Sequence, residues 1–172
     1  MKTERLIMTA LLALSAPFFS SSCDYTLGPD FPGGNHIYFS SFESPQDTVG
    51  WRGGMQFRNE AAPNGGRQSV FISGGCVHPH ADIEFDGIDQ DSHLLLRCWG
   101  KNLASGGGVE LHVADDWSKT IHIFVADSTW KFYESADTLF WPAHQRLNLS
   151  MSSGGFKPSA MLVDRIEVIR ID

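Results

Sequence analysis

Few of the 20 Asp and Glu and 7 His residues in this 172-residue chain have a spacing that could do chemistry. His78-Pro79-His80 sets two imidazoles on one face of an extended segment, where they can chelate a transition metal. No third ligand stands beside them in sequence, although Asp82 and His112 could approach in space, so two solvated imidazoles are the simpler reading. Glu84 and Glu110 are two carboxylates of the kind a glycosidase uses to protonate a leaving group and assist attack. Nothing around either marks it as buried. No nucleophile elbow, metalloprotease helix, phosphate loop or thioredoxin-type pair is present. An enzyme is therefore not expected.

The cysteines are Cys23, Cys76 and Cys98. They show neither CxxC spacing nor a Cys/His zinc pattern, which argues against structural zinc. Cys23 follows a targeting segment. Lys2 and Arg5 precede the apolar residues 6–19, interrupted only by Thr9 and Ser15. This is the length of a signal h-region and short for a membrane span. Ser20-Ser21-Ser22-Cys23 resembles the lipobox of bacterial lipoproteins, with Ser20 where Leu is usual. That resemblance implies cleavage after residue 22 and acylation of Cys23; the alternative is ordinary cleavage and a free thiol. Residues 23–36 then form a Pro/Gly-rich tether, and the protein is expected at the bacterial cell envelope, held to the membrane by its lipid. Cys76 and Cys98 remain, an even number in an exported chain. A disulfide between them is expected, the alternative being two buried thiols.

The net charge is −7, and removal of residues 1–22 takes away Lys2, Arg5 and Glu4, leaving −8. Such a body lacks the clustered cations that phosphate binding needs, so a nucleic-acid partner is excluded.

The elements that must position these residues have period two. Residues 81–85, 109–113, 120–125 and 147–151 alternate apolar and polar, and 94–101 and 163–171 add two further strands. Earlier candidates are 37–42, 55–57 and 69–72. Asn64-Gly65-Gly66, Ser73-Gly74-Gly75, Asp86-Gly87, residues 105–108 and Asp115-Asp116 supply turns. No window has helical periodicity. The fold predicted over residues 37–172 is an all-β, two-sheet antiparallel sandwich with one domain. Alternation turns Ala81, Ile83, Phe85, Leu94, Leu96, Cys98, Val109, Leu111, Ile121 and Ile123 inward. It turns His80, Asp82, Glu84, Arg97, Trp99, Glu110, His112, His122 and Phe124 outward. Trp51 and Trp130 read as core or loop anchors. Trp117, in a turn, is free to be an exposed contact. The sequon letters of Asn148-Leu149-Ser150 fall inside a strand and carry no glycosylation meaning here.

The order of landmarks is itself informative. Phe42-Glu43 is followed by Gly50-Trp51, then Gly65-Gly66-Arg67-Gln68-Ser69-Val70, then residues 94–101 ending Trp99-Gly100-Lys101. Trp130-Lys131-Phe132-Tyr133 and a closing Leu162-Val163-Asp164-Arg165-Ile166 complete it. This order resembles the galactose-binding-like jelly rolls, especially carbohydrate-binding modules of the xylan- and glucan-binding type. The resemblance spans residues 37–172. It implies a structural calcium ion held by Glu43 and Asp164, with backbone carbonyls completing the shell. It also implies a concave face on the sheet that carries the Trp-x-Lys strand, collecting Asp82, Glu84, Arg97, Trp99, Glu110, His112 and His122. An aromatic ring there would stack on a pyranose while the polar groups bond its hydroxyls. The function expected is non-catalytic glycan binding by an envelope lipoprotein. The alternative is a structural or accessory subunit docked on a larger envelope protein complex.

Overall fold

The computed structural model describes residues 35–75, 80–154 and 157–171. The signal segment, tether residues 23–34 including Cys23, and Cys76, His78 and Pro79 lie outside these residues; the last two residues of the expected tether, Asn35 and His36, instead begin the first strand. Twelve strands form among the described residues: β1 (Asn35–Ser40), β2 (Arg52–Gly53), β3 (Gln56–Arg58), β4 (Ser69–Gly74), β5 (His80–Phe85), β6 (Ser92–Ala104), β7 (Gly107–Val113), β8 (Asp116–Val125), β9 (Lys131–Glu134), β10 (Leu139–Trp141), β11 (Leu147–Ser152) and β12 (Ser159–Arg170). One short 3-10 turn, Pro45–Thr48, interrupts them.

The strands make two antiparallel sheets. The smaller has the order β2-β5-β11-β7-β8. The larger runs β10-β6-β12-β4-β3, with β1 added to β12 and β9 to β6. The expected sandwich is what forms. Its core is the inward row of each alternating strand: Ala81, Ile83, Val109, Leu111, Ile121, Ile123, Leu149 and Met151 from the smaller sheet meet Leu94, Leu96, Cys98, Met161, Val163, Ile166 and Val168 from the larger. Each is removed from water, which is the main favourable contribution to the fold.

Register in the smaller sheet fixes what its outer face displays. Arg52 lies opposite Asp82, Asp82 opposite Ser150, Ser150 opposite Glu110, and Glu110 opposite His122. A second row joins Glu84, Asn148, His112 and Thr120, and a third joins His80, Ser152, Gly108 and Phe124. Five short strands thus present a nearly continuous polar surface. The hairpin from β7 to β8 turns through Asp115, whose φ of 65° lies in the left-handed region that Asp tolerates better than bulky residues do.

The larger sheet differs. β6 and β12 lie between other strands and are buried on both faces: Leu95, Arg97, Leu162, Glu167 and Ile169 point away from the core and are still buried. A β-bulge between Asp164 and Glu167, with Arg165 at φ 49°, inserts a residue into β12. It explains why the core positions run 161, 163, then 166 and 168. Simple alternation over 163–171 does not anticipate this shift.

Candidate functional site

The outer face of the smaller sheet holds a cleft of about 350 Å³. Asp82 comes from β5, Asn148 and Ser150 from β11, and Glu110 and His112 from β7. His80 and Ser152 close one end, and Trp117 stands at the other. Trp117 is 68% exposed, so its indole face is open to a ligand. It is fixed in place by stacking on His112, with ring centroids 4.0 Å apart and planes 23° from parallel. The indole thus offers an oriented flat face above a polar floor.

That floor is electrostatically ordered. Arg52 bonds Asp82 through both Nε and Nη2, and Nη2 also donates to Glu84 Oε1 at 2.9 Å. The two carboxylates hold the Arg52 pKa above its ordinary value, Asp82 contributing most. Arg146 reaches Glu84 at 3.2 Å and Asp115 at 3.6 Å. Asn148 Nδ2 donates to Asp82 Oδ2 at 3.5 Å. His112 is 5% exposed, and its Nδ1 has no hydrogen-bond partner. Burial lowers its pKa, and the nearby Glu110 and Asp82 only partly oppose this. The ring is therefore neutral at pH 7.

Of the seven residues expected to form this surface, Asp82, Glu110 and His112 come together in the cleft. His122 is opposite Glu110 in register but lines a separate depression with Ser135 and Asp137. Glu84 shares the face but lies outside the cleft lining, engaged by Arg52 and Arg146. Arg97 and Trp99 require a correction: they lie on β6, in the other sheet. Arg97 is 2% exposed and donates through Nε to Glu134 Oε2 at 2.7 Å. Trp99 packs edge-on against Phe132 at 5.8 Å. The face that carries the Trp-x-Lys strand is thus not the one that forms the cleft. Asn148, Ser150 and Ser152 were missed as site residues, although the alternation of 147–151 already turned Asn148 and Ser150 outward. Trp117 was legible only as an exposed contact, because its meeting with His112 depends on the hairpin.

The Cys76–Cys98 bridge also requires a correction. Cys98 is a free, fully buried thiol on the core side of β6, and burial pushes its pKa up. It serves as a small apolar core residue. Trp51 and Trp141 are structural. Trp51 donates to the Tyr38 hydroxyl at 2.6 Å and Trp141 to the Gln145 carbonyl at 2.6 Å.

Glu43 and Asp164 do approach one another. Glu43 Oε1 accepts the backbone N–H groups of Arg67 and Gln68, each at 2.8 Å. Asp164 Oδ2 accepts from Ala62 N at 2.9 Å. A side chain on Gly65 would collide with the Asp164 carboxylate, and one on the next residue, Gly66, with that of Glu43. Gly66 also has φ 97°, a conformation suited to glycine. Asp164 Oδ1 is buried with no partner. Burial raises the Asp164 pKa to about 6, with Glu43 adding a smaller push in the same direction. An orphaned buried oxygen beside a second carboxylate fits a hard cation. No cluster of three His, Cys, Asp or Glu ligands exists among the described residues, so such an ion would take its other ligands from backbone carbonyls and water.

No protein-family model and no curated protein sequence matches the chain. Solved structures do. The chain covers 96% of a xylan-binding domain, carbohydrate-binding module family 22, from Paenibacillus barcinonensis, with 81% of its own length aligned, 16% identity and a TM-score of 0.56. The fold is that of carbohydrate-binding modules. A family 16 module agrees at TM-score 0.52 and 13% identity, over 70% of this chain and 91% of that one. The enzymatically active domain of a bacteriophage CBA120 tailspike protein aligns at TM-score 0.58 and 13% identity. It matches 76% of this chain, which spans only 20% of the tailspike chain.

Proposed function

We propose that this chain is a non-catalytic glycan-binding domain and that the sugar sits in the cleft of the smaller sheet. The observation that carries the reading is Trp117, an exposed indole clamped against His112 at the mouth of a polar cleft. A pyranose stacks its apolar face on the indole while Asp82, Glu110, Asn148 and Ser150 bond its hydroxyls. The shared fold with xylan-binding and other carbohydrate-binding modules supports this assignment. Calorimetric titration against a panel of neutral and charged oligosaccharides tests it. One class is expected to bind, and Trp117→Ala is expected to weaken that binding about tenfold or more without lowering the melting temperature. Failure of every saccharide to bind refutes the reading.

Two further parts belong to the proposal. A calcium ion rests between Glu43 and Asp164 and ties β12 to the loop that precedes β4; the orphaned Asp164 Oδ1 supports it. Acylation of Cys23 holds the domain at the bacterial cell envelope, periplasmic or on the outer-membrane surface, supported by the apolar residues 6–19 and the small residues before Cys23. Mass spectrometry of the detergent-extracted protein tests the second point: an intact, unacylated N-terminus would refute it.

A further inference from the structure

The cleft holds one charge that the protein does not answer. The other carboxylates on and beside this face have cations. Asp82 has Arg52, Glu84 has Arg52 at 2.9 Å and Arg146 at 3.2 Å, Asp115 has Arg146 at 3.6 Å, and Asp116 has Lys119 at 3.4 Å. Glu110 makes no ion pair and accepts no hydrogen bond among the described residues. It is half-buried on β7, opposite Ser150 on one side and His122 on the other. The buried ring beside it in the cleft, His112, is neutral and leaves its own Nδ1 unpaired. The cleft of about 350 Å³ opens over the carboxylate. Gly108, across from Ser152, brings no side chain into that row, and a Cβ there would stand at ordinary contact distance, 4.0 Å, from Glu110 Oε1. Cleft lining and unpaired carboxylate coincide.

A half-buried carboxylate loses hydration and gains it back only through a donor, and a cationic donor returns most. The protein supplies cations to the neighbours and none to Glu110. We propose that the ligand supplies it: the cleft selects a glycan that bears a free amino group, whose ammonium pairs with Glu110 above Gly108 while its ring stacks on Trp117. This rests on the glycan-binding reading and narrows it to amino sugars. A uronate-containing glycan would bring its charge against Glu110 and is excluded by repulsion.

The experiment compares four probes on the whole domain by calorimetry: oligomers of β-1,4-linked glucosamine, the same oligomers fully N-acetylated, oligogalacturonate and oligolysine. The free-amine oligomer is expected to bind roughly tenfold or more tightly than its acetylated form, and the uronate not at all. Glu110→Gln is expected to bring the amine and acetyl forms to equal affinity. Glu84→Gln, on the same face but outside the cleft, is expected to leave their ratio unchanged. If acetylated or neutral oligomers bind as tightly as the amine and Trp117→Ala weakens both, the amino-sugar selection is wrong while glycan binding stands. If oligolysine binds as tightly as the amine and ignores Trp117→Ala, Glu110 is a general cation site and the proposal fails. If no saccharide binds, both readings fall together.

Discussion

The outer faces of the two sheets are built from the same alternating pattern and end in opposite states. On the smaller sheet, Asp82, Glu110 and Asn148 face a cleft, and Arg52, the cation of Asp82, stands beside it. On the larger sheet, Arg97 lies between Glu134 on β9 and Glu167 on β12, and all but Glu134 are buried. Glu167 also has His36 at 3.6 Å. Burial raises the Glu167 pKa, with His36 and Arg97 pulling it back. The difference teaches that the direction of a strand residue and its exposure are separate properties. Direction follows from period two. Exposure depends on what flanks and covers the strand.

The strongest way to break this comparison is to remove Arg97. Its loss removes the ion pair to Glu134 and the positive charge that favours the buried Glu167 carboxylate, which keeps His36, and stripping a buried charge of its support costs up to about 3–5 kcal/mol. Arg97→Ala is expected to lower the denaturation midpoint severely. Any residual folded protein is expected to keep its glycan affinity, because no atom of Arg97 lines the cleft. Urea unfolding followed by tryptophan fluorescence checks the first point. A stable variant that has lost binding would return Arg97 to the site.

Asp164, on the same buried face, gives a second and somewhat smaller effect, read as pH dependence. Its pKa in the folded state is about 6, against an ordinary 3.8, mainly through burial. The fold therefore favours the neutral acid. This contribution to stability is complete below about pH 4, falls as pH rises through 6, and amounts to about 3 kcal/mol lost by pH 7. Asp164→Asn is expected to flatten the unfolding free energy between pH 4 and 7. Millimolar calcium is expected to raise the midpoint at pH 7.5 and to do nothing at pH 4, where the ligand is protonated. Equal midpoints with and without calcium at pH 7.5 would remove the ion from this site.

The comparison also marks what could be read without coordinates. The smaller sheet is legible because its strands alternate strictly: 81–85 and 109–113 send charged or polar groups one way and apolar carbon the other, and 120–125 turns Thr120, His122 and Phe124 outward and Ile121, Ile123 and Val125 inward. The outer cleft follows from that pattern and needs only the register to assemble it. The larger sheet is less legible. Leu94-Leu95-Leu96 is apolar at consecutive positions, the mark of a strand covered on both faces, and the same cover buries Arg97 and half-buries Trp99. The bulge in β12 has a trace too, since Val163 and Ile166 are three apart where two would keep the face. The pairing of Glu43 with Asp164 rests on contacts across more than a hundred residues, and no local period can carry it; the family likeness did. The stacking of Trp117 on His112 depends on a hairpin whose bulge shifts register between His112 and Val113.

On the open face the effects move from stability to binding and become smaller. Trp117→Ala removes one stacking surface, and burying such an apolar group contributes roughly 1.5–3 kcal/mol, about tenfold or more in affinity. The melting temperature should hardly change, because the indole is already in water. Titration with the best-bound oligosaccharide, alongside thermal unfolding, separates the two. Equal affinity for the variant and the wild type would move the platform elsewhere, with exposed Phe124 the next aromatic on this face.

The smallest expected effect defines the edge of the site. Glu84 is held by two arginines that are themselves more than half exposed. Exposed pairs of this kind contribute about 0–1 kcal/mol, because water screens them and long side chains lose freedom to form them. Glu84→Gln keeps the shape and removes the charge. Stability should change by less than about 1 kcal/mol, and affinity by less than about twofold, because Glu84 lies one position beyond Asp82 on the outward face and outside the cleft lining. The freed Arg52 still has Asp82 to hold it. A larger loss of affinity would mean that the glycan runs on along β5 past Asn148, and that the Arg52–Glu84–Arg146 ladder is part of the binding surface rather than its border.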